Sequence, residues 1–137
     1  MTAETIAIDT DVASGLIRRT LPAAVADGLA DATLAVTFVT VGELFRGADH
    51  ARWGPRRTAD LTMWLARLLV LPADRTVARR WGQITGAALR AGRPLPTNDS
   101  WIAACCLTHG IPLATLNTRD FANVRGLRLV TASAGDE

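Results

Sequence analysis

The sequence predicts an α/β fold: a three-layer sandwich whose central, mainly parallel sheet is flanked by helices. Two observations predict the layers and the parallel strands. Short apolar, β-branched runs alternate along the chain with amphipathic segments of helical period. No two of those runs are joined by a two-residue hairpin turn, so crossovers must link the strands. At 137 residues with 49% hydrophobic content and no internal repeat, low-complexity stretch or linker, the chain reads as a single domain over residues 1–137. It is long enough to bury a proper core.

Thr5 to Ile8 is the first buried strand, and Asp9 and Thr10 lead from it into a helix through Leu16 and Ile17. Pro22 opens a second short helix at its first turn. Leu34 to Val39 reads as the second strand, followed by Thr40 as a helix N-cap with Glu43 at capping-box spacing. Gly54-Pro55 breaks the chain. Leu61, Trp64, Leu65 and Leu68 then form an i, i+3, i+4, i+7 stripe on a further helix. Leu69 to Leu71 is a short strand. Asp74 starts a helix whose face is Val77, Trp81, Ile84 and Ala88, stopped by Gly92 and the extended Pro94 to Pro96 segment. The capping residues Thr97 to Ser100 precede a helix from Trp101 to Thr108, which Gly110 ends. Pro112 to Leu116 is a strand, Asn117 to Val124 a loop with a short helix, Leu127 to Thr131 the final strand, and Ala132 to Glu137 a frayed tail.

Composition narrows the function classes. The formal charge is +2, and every one of the 15 basic residues is Arg, so lysine chemistry is excluded. Cys105 and Cys106 are adjacent on a helix and point about 100° apart, which disfavours a mutual disulfide. Two cysteines and two histidines without paired ligand spacing argue against structural zinc. The N-terminus lacks a basic region, and no apolar run approaches spanning length. A reduced, cytoplasmic protein without a membrane partner is expected.

Four acids stand where a strand or loop gives way to a helix: Asp9, Glu43, Asp99 and Asp120. Each has a structural reading by itself. Asp9 and Asp99 can cap helices or face their dipoles, Glu43 can close a capping box, and Asp120 can cap or face solvent. Together they sit where a parallel sheet projects to one edge, the crevice in which open α/β folds bind ligands. Crowded carboxylates repel one another and call for a hard divalent cation, Mg²⁺ or Mn²⁺, whose chemistry suits phosphodiester hydrolysis by an activated water. Arg46, one helical turn after Glu43, and Arg119, beside Asp120, are the candidate phosphate contacts. Thr10 is a candidate for the phosphate or the ion's water shell. Trp64 and Trp81 read as core or interface, and His50 and His109 have no partner at catalytic spacing.

These residues resemble the motifs of the PIN-domain family, in its VapC branch of toxin ribonucleases. AIDTDVAS resembles the first motif and TFVTVGELFRG the second, while TNDSWIAACCLTHGIPLATLNTRDF resembles the third and fourth, in order over almost the whole chain. The resemblance implies strand order 3-2-1-4-5 and Mg²⁺- or Mn²⁺-dependent cleavage of RNA. It also implies a homodimer, inhibited by a VapB-type antitoxin and able to enter a higher toxin–antitoxin assembly. It makes Asp9 and Asp99 the main metal ligands, with Glu43 close by. Two positions depart from the common pattern. Asp11 stands where many relatives carry Asn, and Asn117 stands where some carry Asp, leaving Asp120 as the favoured fourth acid and Asn117 as a polar or coordinating neighbour.

Asp9-Thr10-Asp11 also resembles the opening of haloacid-dehalogenase phosphatases and of receiver domains. Both supply a later Lys that this chain lacks. The remaining alternative is a catalytically inactive PIN module that binds RNA or a partner protein, against which the four retained acids speak.

Overall fold

The computed structural model describes residues 3–130. Twelve elements follow one another along them: β1 (Thr5–Ile8), α1 (Thr10–Arg18), α2 (Ala23–Leu29), β2 (Thr33–Thr37), α3 (Phe38–His50), α4 (Pro55–Leu65), β3 (Leu69–Leu71), α5 (Arg75–Arg90), α6 (Thr97–His109), β4 (Leu113–Ala114), α7 (Thr118–Phe121) and β5 (Leu129–Val130). The strands form one sheet in the order β3-β2-β1-β4-β5, every pair parallel, in agreement with the order that the family resemblance implies. The central strand β1 pairs Ala7 with Ala35 on one side and with Leu113 on the other.

Alternation along the strands divides the interior into two cores. Ile6 and Ile8 of β1 and Val36 of β2 join Val12, Leu44, Leu61 and Leu65 beneath α1, α3 and α4. Ala7, Ala35 and Leu113 turn the other way, onto Val77, Ile102, Cys105 and Cys106 of α5 and α6. Ala7 and Ala35 share that core with Ile102 and Ala103 of α6. Both thiols are buried and pushed up by desolvation, Cys105 to about 11 and Cys106 to about 12, so they remain protonated and inert at neutral pH.

Several element boundaries differ from the sequence reading. β2 ends at Thr37, and Thr37 rather than Thr40 caps α3: it has extended dihedrals, and its hydroxyl accepts the Thr40 N–H at 3.4 Å. Phe38 and Val39 look like strand by composition, yet Val39 faces the core from the first turn of the helix. No capping box exists at Glu43, which lies beyond the first turn of α3. α6 begins at Thr97 rather than Trp101, because Pro96 supplies the N-cap and Thr97 to Ser100 form the first turn. Pro22 likewise stands just ahead of α2. β4 and β5 are shorter than expected. Thr131 and the tail from Ala132 to Glu137 lie outside the described residues.

A stacked pair fixes α5 against the start of α6. Trp81 and Trp101 lie with ring centroids 4.7 Å apart and planes 9° from parallel, and Trp81 Nε1 donates to the buried Ser100 hydroxyl at 2.8 Å. Phe38 meets the edge of Trp101. Trp81 is therefore a packing residue, as its helical spacing predicts. Trp81→Phe keeps much of the stacking area and removes the N–H. It should lower stability by about 1 kcal/mol, a fall in Tm of about 4 °C in a thermal melt.

Candidate active site

At the carboxyl ends of β1 and β4 the chain opens a cleft of about 520 Å³. Asp9, Asp11, Glu43, Asp99 and Asp120 all line it, together with Thr10, Arg46, His50 and Asn117. Every acid singled out in the sequence thus reaches one cavity, although they come from β1's end, α1, α3, α6 and α7.

Asp9 is 6% exposed. It caps α1, with Oδ1 accepting the Val12 N–H at 2.9 Å, while Oδ2 accepts the Thr115 hydroxyl at 2.6 Å. Thr115 is held in turn, accepting the Asn117 N–H at 3.0 Å. Burial raises the Asp9 pKa from its ordinary value. The two hydrogen bonds oppose the rise, and the Asp11 and Glu43 charges add to it. The capping and cleft readings of Asp9 are therefore both true of the same carboxylate.

Glu43 is braced from three sides. Thr10 Oγ1 lies 2.6 Å from its Oε1, Asn98 Nδ2 donates to Oε2 at 3.0 Å, and Arg46 Nη2 is 3.5 Å from Oε2. Thr10 has one proton and gives it to this carboxylate, which leaves the Thr40 hydroxyl to donate across their 3.1 Å contact. The Thr10 hydroxyl is thus committed to Glu43. Arg46 lines the cleft with its side chain 72% exposed, whereas Arg119 does not line it.

Asp99 sits in the first turn of α6. Its pKa is raised first by burial, then by the charges of Asp120, Asp9, Glu43 and Asp11. All the other acids of the cleft therefore act on this one group, the electrostatic signature of a shared site. Asp120 occupies the first turn of α7, and Asn117, just before it, points its amide at Asp11 Oδ2 from 3.4 Å. Both residues of the ambiguous fourth position face the cleft.

Sequence reasoning passes over Thr115 and Asn98 as site residues, and sets His50 aside for want of a partner at catalytic spacing, yet His50 lines the cleft. Thr115 lies in the same TLNTRD run as Asn117 and Asp120, which is the available signal. His50 continues the Glu43, Arg46, Gly47 row along one face of α3.

The donor chemistry fits a hard divalent cation. Five carboxylates and an amide carbonyl supply oxygen ligands, and Arg46 is the one arginine among the residues lining the cleft to offset them. Among the described residues, however, no three Asp, Glu, His or Cys side chains are already gathered closely enough to hold an ion together. The acids share a cavity and a field rather than a closed coordination sphere.

The PIN domain family model matches residues 6–127. The chain is 35% identical over 95 residues to the tRNA(fMet)-specific endonuclease VapC of Shigella flexneri, covering 69% of this chain and 72% of that one. It is also 35% identical over 99 residues to ribonuclease VapC4 of Mycobacterium tuberculosis, covering 70% and 75%. Among solved structures, a chain of the DNA-bound VapBC complex from Salmonella typhimurium superposes with a TM-score of 0.84 at 26% identity, over 96% of this chain and 99% of that one.

Proposed function

The chain belongs to the PIN-domain family, among the VapC ribonucleases, and from that premise we propose that it is a single-domain toxin that hydrolyses RNA with Mg²⁺ or Mn²⁺ in the acidic cleft. The observation that carries the reading is Asp99, whose carboxyl feels the charge of every other acid lining the cavity. Asp9 and Asp99 would hold the ion, with Glu43, Asp120 and Asn117 as further oxygen donors around it. Bound there, the ion supplies a Lewis acid for the phosphate oxygens and makes the attacking water more acidic.

The chain's own residues do the rest. Thr115 and the Val12 N–H fix both Asp9 oxygens, so that this ligand reaches the cleft already oriented. Thr10 and Asn98 do the same for Glu43. Arg46, mostly exposed, is the group positioned to meet an incoming phosphate once an ion draws on Glu43. Water adds to phosphorus, the bridging P–O bond breaks, and the leaving oxygen takes a proton. The new ends are a phosphate monoester and a hydroxyl.

The test is cleavage of total RNA by the purified protein with Mg²⁺, with EDTA, and in the Asp9→Asn and Asp99→Asn variants. Cleavage that survives chelation and both substitutions would sink the metal reading. No cleavage of any cellular RNA with binding intact would favour the inactive module. A further expected outcome concerns Thr115→Val, which removes the hydroxyl and keeps the shape. It should lower kcat by ~10–100-fold with KM little changed.

The inhibiting partner we propose is a VapB-type antitoxin. Ile17, Ala48, Trp53 and Leu61 line an apolar groove that also includes Thr10 and Glu43, so it runs into the acidic cleft. An amphipathic antitoxin helix laid in that groove could place an arginine among the carboxylates. Trp53, over which Arg57 stacks at 3.8 Å, forms part of its wall. The proposed working form is a cytoplasmic homodimer, which light scattering of the free and inhibited protein checks. Among the described residues no helix is long and apolar enough to cross a membrane.

A further inference from the structure

A second cavity, of about 400 Å³, is opposite to the acidic cleft in charge. Arg80, Arg93 and Arg125 line it, with no carboxylate among them, and Ile84, Leu95 and Val124 form its apolar wall. All three arginines are exposed. None of them is needed to explain the cleft.

Its position follows from the chain. Arg93 and Leu95 lie on the connection that leads into α6 and Asp99. Val124 and Arg125 follow α7, whose Asp120 and Phe121 line the acidic cleft. The segments that carry two of the cleft acids therefore run on along the chain into residues that line this cavity. The acidic cleft repels a polyanion, and Arg46 there is already paired with Glu43. A nucleic acid strand needs a cationic hold outside it, and this cavity supplies one beside an apolar surface large enough for a base.

We infer that this cavity binds the single-stranded RNA segment flanking the scissile bond, with phosphates on Arg80, Arg93 and Arg125 and a base against Ile84, Leu95 and Val124. The inference rests on the ribonuclease reading. Its occupant follows from charge complementarity, since three arginines with no acid among the lining residues favour a polyanion, and from the chain segments it shares with Asp99 and Asp120. Guanidinium forks bind phosphate oxygens in pairs, and unpaired bases present the apolar faces that such a wall accepts.

The test uses Asp99→Asn protein, which should not cut, and a mixed-sequence single-stranded RNA oligonucleotide, with affinity measured across a salt series. Replacing Arg80, Arg93 and Arg125 together by Gln should weaken binding by at least about tenfold and reduce the log–log salt slope by roughly 0.7 for each phosphate no longer neutralised. Ala91→Trp, at an exposed lining position, should weaken binding with the slope unchanged, because it fills the base's space and leaves the charges. In the cleaving protein the same substitutions should raise KM for long substrates and leave dinucleotide turnover unaltered.

Unchanged affinity and slope in the triple variant, with the native protein still cutting RNA, would overturn the inference and leave the ribonuclease reading standing. An effect of the arginines without any effect of Ala91→Trp would overturn the base site. So would equal occupation by inorganic phosphate, or loss of antitoxin binding in place of RNA binding. Native protein that neither binds nor cuts RNA would fail both readings. Thermal melts keep the outcomes clear of misfolding.

Discussion

Asp9→Asn is expected to reduce RNA cleavage by on the order of 10³-fold while leaving the fold intact, as circular dichroism and a thermal melt would check. That magnitude is at the upper end for loss of one preorganised electrostatic group. The fold survives because Asn is as good an N-cap as Asp. Its amide oxygen can keep the Val12 N–H, now received at 2.9 Å by Oδ1. Its amide nitrogen can donate to Thr115, whose oxygen has room for a second donor beside the Asn117 N–H. What disappears is the charge. Asp9 is nearly closed to solvent, so that charge is held against the cost of burial, which is worth keeping only if something positive binds it. A variant that is folded and fully active would show that Asp9 is no more than a cap.

Removing the divalent ion should have the second large effect: loss of cleavage with EDTA, recovery with Mg²⁺ or Mn²⁺, and a stability change whose sign depends on pH. Asp9 and Asp99 have folded pKa values raised above the ordinary 3.8. The folded state therefore holds their protons more tightly than the unfolded chain does. Their contribution to the metal-free protein is fully present below the unfolded value and is lost as pH rises through the raised folded values. An ion that binds only the folded state reverses that loss. At a concentration near 100 times its Kd it adds about 2.7 kcal/mol, or roughly 10 °C in Tm. The gain should shrink as the pH falls and protons compete for the carboxylates. Melts at acid and neutral pH, with and without Mg²⁺, check both signs. A metal-free protein that gains stability as pH rises through the carboxylate range would contradict the charge crowding.

Features that depend on neighbours along the chain are legible in the sequence. β1, β3 and the α4 and α5 stripes show as apolar runs and helical periods, and the alternation of strands with helices gives the parallel sheet, while the strand order comes from the family resemblance. Asp9 is legible because a strand end followed by a helix start aims its side chain at the sheet edge. Glu43 stands out through a capping box that does not form, since the Phe38-Val39 pair reads as strand while Thr37 already begins the helix.

Features set by distant contacts are out of reach. Thr115 grips Asp9 across 106 residues of chain, and Asn98 reaches Glu43 across 55. Neither bond leaves a local trace. Arg119 stands beside Asp120 in sequence, but adjacent residues on a helical turn diverge by about 100°, and only Asp120 lines the cleft. The arginines around the second cavity come from α5, its exit loop and the stretch after α7, which no single window of sequence brings together.

The most direct test of the central claim is a titration of Mn²⁺ into metal-free protein, followed by the electron paramagnetic resonance of the free ion. The five carboxylates share one cleft without being gathered around a point, so the ion itself must draw them in. Saturable binding is expected, weakened at least about tenfold in Asp9→Asn and in Asp99→Asn and displaced by Mg²⁺. Binding of equal strength in the native protein and both variants, or none at all in a protein that still cuts RNA, would contradict it.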